Sequence, residues 1–207
     1  FETSQGHSTA NSGDSVSDDP GLSGRSLLKV QIGLMLGVMV STMGIKVIQS
    51  YFPNFAALPE GLGWTGTMIG IVSLGFGVGR VGFYIIGRLF DIKYRNMTLF
   101  LIVLGSSILL LSFVRDSIIL TVLFFISGVS AAVIYITSLE LLLKLQVEAK
   151  STAAGVFDTF IGLGTALSPL MAGFIASFSL TLPFILYAVL AYTMSIIVLF
   201  LRNKNVP

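Results

Sequence analysis

No cysteine occurs in the 207 residues, and the single histidine is His7. Without thiols there is no disulfide framework, no thiolate zinc site and no cysteine nucleophile, and one histidine near the start excludes a His-dependent catalytic dyad elsewhere. Charge is scarce too. Asp, Glu, Lys and Arg make up 11% of the chain, against about a quarter in a soluble domain. What the sequence has in quantity is apolar surface, 54% of residues with a mean hydropathy of +0.92. Such a composition belongs in a bilayer. The net charge of +2 does not signal nucleic acid, because the basic residues sit between apolar runs rather than on one face.

Residues 1–26 differ from the rest: Ser, Gly and Asp dominate and no apolar run appears. A segment of that composition reads as a flexible polar linker, and it lacks the basic start and apolar region of a signal peptide. The chain begins with Phe, which suggests a fragment of something longer. From residue 27 to 207 the pattern predicts a transmembrane domain. Six apolar stretches, at about 30–52, 65–87, 97–114, 118–142, 152–177 and 182–201, approach the ~20 residues that span a bilayer. The links between them are short, which implies antiparallel neighbours in an all-α, six-helix bundle.

With a cytoplasmic N-terminus, the inner side holds Arg25, Lys29, Arg88, Lys93, Arg95, Lys144, Lys150, Arg202 and Lys204, and the outer side Arg115 alone. That asymmetry predicts a multi-pass cell-membrane protein with both termini in the cytoplasm. Ionisable residues inside spans are costly and normally face a cavity or a partner. Here Lys46, Arg80, Glu140 and Asp158 fall on the first, second, fourth and fifth spans, and none on the third or sixth. Polar, polar, lipid-like, then the same again, is the distribution of a 3+3 inverted repeat.

In the first span Gln31, Thr42, Lys46 and Gln49 fall within a sector of ~60° at helical spacing. Lys46 is read as a cavity cation, with Thr42 and Gln49 beside it; the alternative is a snorkelling lysine near a helix end broken at Pro53. The second span carries Gly75-x3-Gly79, which suits close helix packing. Its Gly77-x-Gly79-x-x-Gly82 matches a dinucleotide fingerprint only by letter, since no strand precedes it. Arg80 shares a face with Asp91, eleven residues on, so a cytoplasmic salt bridge is favoured over substrate contact. In the fifth span Gly155, Asp158, Gly162, Thr165, Pro169 and Gly173 share a sector of ~80°. The small residues predict close packing and Pro169 a bend. Asp158 is either a gate partner for Arg80, Arg88 or Lys144, or a proton carrier.

These residues resemble the major facilitator superfamily. Gly87-Arg-Leu-Phe-Asp91-Ile-Lys93-Tyr-Arg95 is similar to the family's cytoplasmic loop motif, with Gly87, Asp91 and Arg95 matching and Ile92, Tyr94 and Asn96 departing. Gly155-x8-Gly164-x3-Ser168-Pro169-x2-Ala172-Gly173 is similar to the glycine–proline motif of a fifth helix in antiporter branches, with Ser168 and Ala172 in place of glycines. Tyr51-Phe-Pro53 looks like the end of a first helix. The resemblance covers about residues 28–202 and implies one six-helix half of a twelve-helix transporter. The degenerate loop motif and the preceding linker favour the C-terminal half; the fifth-span motif pulls the other way. It further implies an inner gate in which Arg88, Asp91, Arg95, Glu140 and Lys144 take part.

The expected function is secondary active transport of a small solute by alternating access. The partners expected are that solute (Lys46 and Arg80 lean slightly toward an organic anion, while the aromatic and Met-rich spans suit a hydrophobic drug equally well), a coupling proton or counter-substrate, the bilayer and the other half, with no cofactor, metal or nucleic acid. Whether the mode is antiport, symport or uniport stays open. A six-helix channel or a non-transporting subunit is the alternative, and no filter or voltage-sensor pattern supports it. An intramembrane enzyme lacks an acid pair, metal cluster or nucleophile elbow.

Overall fold

A computed structural model describes residues 24–86, 94–145 and 150–201. Every element among them is helical: α1 (Gly24–Lys46), a π-helical segment (Val47–Tyr51), α2 (Phe52–Ala57), α3 (Gly66–Ile86), α4 (Tyr94–Leu111), α5 (Ser117–Leu145), α6 (Lys150–Ala176) and α7 (Leu182–Leu201). Five rods are long and apolar enough to cross a membrane: Leu28–Ala57 (which joins α1, the π segment and α2), Gly66–Phe83, α5, α6 and α7. The apolar part of α4, Arg95–Leu111, is shorter. Residues 1–23, and with them most of the segment read as a linker, lie outside the described residues.

The first span does not break at Pro53, as the sequence suggested, but runs on to Ala57. Proline has no N–H to give the preceding turn. The chain adapts by widening: Phe52 N–H reaches back five residues to the Val47 carbonyl, and Pro53 then falls in the first turn of α2, where a missing donor costs little. The real stop is Leu58. Its ψ of 138° is the extended geometry imposed by the following Pro59.

In a bilayer each hydroxyl needs an internal acceptor. Thr42, Ser106, Ser107, Thr121, Ser127, Ser130 and Thr159 each donate to the carbonyl four residues earlier. Aromatic rings close the end of the bundle opposite Gly24. Phe52 packs on Phe124 with ring centroids 4.7 Å apart, and Phe184 lies 5.3 Å from Phe55 and 5.4 Å from Tyr51. These rings lock α2 to α5 and α7. At the same end Arg115 donates to the Gly61 carbonyl, and Asp116 caps α5 by accepting from Ile118 N and Ile119 N at 2.9 and 3.0 Å.

Neighbour relations are uneven. α3 lies chiefly against α5, α4 against α5 and α7, and α1 against α6, α7 and α5. α3 and α6 are the least covered spans, with 28% and 17% of their apolar windows buried. The α3–α5 crossing is a backbone contact. A Cβ built on Gly79 would stand 2.2 Å from the Phe125 carbonyl oxygen, one on Gly75 would stand 2.7 Å from that of Thr121, and one on Gly128 would stand 2.2 Å from that of Phe76. Only glycines permit this approach.

Gly77 in the same helix faces open space. Gly79→Ala should therefore destabilise the bundle by about 1–3 kcal/mol through overpacking, whereas Gly77→Ala should leave it unchanged or slightly firmer. Thermal unfolding of the two variants in detergent checks this; equal stabilities would show that α3 and α5 are free to move apart.

Candidate functional site

A cavity of about 200 Å³ opens among four helices. α1 gives it Val38, Ser41, Thr42, Ile45 and Lys46, and the π segment adds Gln49. The remaining wall consists of Arg80 from α3, Ala131 and Tyr135 from α5, and Ile161 and Thr165 from α6. α4 and α7 contribute nothing to it. The four helices that line the cavity are thus the four on which ionisable residues enter the apolar spans.

Lys46 is half-buried, and its Nζ donates to Gln49 Oε1 at 3.2 Å. Thr42 is buried and spends its proton on the Val38 carbonyl at 2.8 Å, so it faces the cavity as an acceptor. The π segment brings Gln49 onto the cavity wall, three residues after Lys46. Thr165 stands four residues before Pro169, which cannot donate to its carbonyl.

Arg80 comes to the same cavity as Lys46. Its register also suggested Asp91 as a partner, but Asp91 and Arg88 lie outside the described residues. Among the described residues the one ion pair is Lys144–Glu140, at 2.8 Å and one turn apart on α5. Its side chains are 59% and 37% exposed, so solvent screens most of its strength. Arg95 is exposed on the first turn of α4. Asp158 is exposed on α6. It shares a helical face with Thr165 and precedes it by seven residues, or ~10 Å along the axis.

On α6 the glycines divide by face, and not as their spacing suggested. Gly155, Gly162 and Gly173 are exposed, and a Cβ on any of them would meet nothing within 4 Å; Pro169 is exposed beside them. The packed face is the other one. A Cβ on Gly164 would stand 2.7 Å from the Met39 carbonyl oxygen, and Ser168 Oγ donates to the Met43 carbonyl at 2.7 Å. Tyr187 of α7 donates in turn to the Ser168 carbonyl at 3.0 Å. One serine thereby ties α1, α6 and α7 together behind the cavity wall.

Tyr135 was not singled out by the sequence. Its ring packs edge-on against Phe157 at 5.6 Å while it lines the cavity. The signal available was weak, a tyrosine in a span apolar on every side. Among the described residues no group of three or more His, Cys, Asp or Glu is placed to hold a metal ion.

The sequence profile of the Major Facilitator Superfamily matches residues 34–207. No curated protein and no solved structure matches the chain.

The Ser168 knot is testable by itself. Ser168→Ala removes the donor to Met43 and should cost about 1 kcal/mol, and Tyr187→Phe about the same. Because both bonds pass through one residue, the double variant should depart from additivity. Unfolding of the four species in detergent measures the coupling; strict additivity would show that the two bonds act independently.

Proposed function

The chain belongs to the Major Facilitator Superfamily, matched over residues 34–207, and on that footing we propose that its four-helix cavity is half of a substrate site that alternates between the two sides of the membrane. It is a multi-pass protein of a transporter family. The finer reading is that of a secondary transporter for a small solute, this chain forming one six-helix half. The observation that carries it is the cavity itself: polar side chains from α1, α3, α5 and α6 converge there, inside otherwise apolar spans.

The contact pattern supports a 3+3 repeat. Exchanging the first span with the fourth, second with fifth and third with sixth turns the α3–α5 contact into α6–α1, and α4–α5 into α7–α1. The same exchange leaves α4–α7 and α1–α5 as they are. It also pairs α3 with α6, the two least covered spans. α4 then serves as the sixth membrane crossing, short as it is. The open face of α6, with Gly155, Asp158, Gly162, Pro169 and Gly173, suits apposition of the other half, where small residues admit a close helix.

Lys29, Arg95, Lys144 and Lys150 gather at the end of the bundle opposite Arg115, which supports a cytoplasmic placement for that end in the cell membrane. Arg88, Asp91, Arg95, Glu140, Lys144 and Asp158 are the gate and charge-relay candidates of that side. Asp158, exposed on the face that leads to Thr165, is the candidate to pair with a cation when that side closes or to carry a coupling proton.

Two transport measurements test the reading, both on the full-length protein in liposomes. Lys46→Ala should lower substrate affinity by about ten-fold or more, the scale of a lost charged hydrogen bond, and Lys46→Arg should keep part of it. A lysine that merely snorkels would make both variants transport like wild type. Gly162→Leu should insert and fold normally yet impair uptake, since its side chain meets nothing in this chain, while Leu199→Phe on α7 should be mild. Equal uptake in the two would remove α6 from the interface between halves. Passive, saturation-free flux would favour a channel.

A further inference from the structure

We propose that the solute this cavity takes is a small dianion, a dicarboxylate or a phosphate monoester; the proposal rests on the transport reading given above. The argument is a charge count. Lys46 and Arg80 reach one cavity of about 200 Å³ from two different helices, and no carboxylate lines it among the described residues. Neither cation has an ion-pair partner there; the Lys46 hydrogen bond goes to a neutral amide oxygen. Two like charges with apolar walls around them repel each other more strongly than in water, and each favours an anion. A neutral solute would strip water from both without replacing it, and a cation would be repelled. A monoanion balances one. A dianion balances both.

The donors present suit that class. The Arg80 guanidinium is a planar fork that matches a carboxylate or phosphate with two parallel hydrogen bonds, whereas Lys46 acts as a point charge. Gln49 accepts from Lys46 through Oε1, which leaves its amide nitrogen as a further donor toward the cavity. Tyr135, also in the lining, carries a hydroxyl able to donate. Val38, Ile45 and Ile161 supply apolar wall for a short carbon skeleton. The cavity of about 200 Å³ is this half's share of the site, with room for a small charged headgroup. Asp158 does not cancel the count, for it is outside the cavity lining and ~10 Å along α6 from Thr165.

Direct binding and uptake by the purified full-length protein test the proposal, with succinate, glycerol 3-phosphate, butyrate, glycerol and choline as probes at pH 8. At least one of the two dianions should bind tightest, and the better of them identifies the headgroup. Lys46→Gln and Arg80→Gln should each lower its affinity by roughly ten-fold or more and shrink its advantage over butyrate; Lys46→Arg should preserve that advantage, which separates lost charge from lost folding. Dianion binding that survives the double Gln variant overturns the proposal, as does failure of both dianions to bind. Uptake of glycerol or choline, untouched by either substitution, overturns the dianion class and leaves the transport reading standing. Dianion binding without uptake by the wild type does the reverse.

Discussion

Holding positive charge inside an apolar span costs free energy unless water or an opposite charge is within reach. Lys46 and Arg80 impose that condition on this bundle, and its arrangement answers it. Both open onto one cavity instead of lipid. α4 and α7, with no charge beyond Arg95 on the first turn of α4, lie against each other and against α5 and α1 with their outer faces apolar. The sorting of helices into cavity-lining and lipid-facing sets follows from that cost.

A cavity in a bundle lasts only if its walls are held from behind. Here backbone contact does much of the holding. Gly79 and Gly128 bring α3 and α5 together, and Gly164 brings α6 onto α1. Apolar side chains gain little by leaving lipid for one another, so shape and interhelical hydrogen bonds must supply the preference. Ser168 supplies two such bonds at the point where α1, α6 and α7 meet. Serine suits this use: a residue small enough for the contact, with a hydroxyl that reaches the Met43 carbonyl.

Much of this was legible in the sequence, and the parts that were not share a cause. Long apolar runs bounded by charged or turn-forming residues located the helices, because the bilayer sets their length. The end of the first span was misplaced, since a proline reads as a break and the π turn that accommodates it leaves no pattern of its own. Helical arithmetic grouped Gly155, Asp158, Gly162 and Pro169 on one face. It could not say whether that face is packed or open, because small residues serve both roles. Periodicity within the first span brought Thr42, Lys46 and Gln49 together. The arrival of Arg80 and Tyr135 beside them depends on how α3 and α5 cross, and no single-helix pattern encodes that crossing.

The two least covered helices flank the cavity: α3 brings Arg80 to it and α6 brings Thr165. Behind them stand α1 and α5, fixed by glycine contacts that leave no room for a side chain to slide past. Packed interfaces of this kind move as units rather than deform smoothly. On the transport reading, access to the cavity therefore changes by motion of the whole bundle against whatever covers α3 and α6, not by separation of its own helices. Lys46 and Arg80 would then keep their relation through the cycle, so that a solute meets the same pair of charges on either side of the membrane and only its exit path differs.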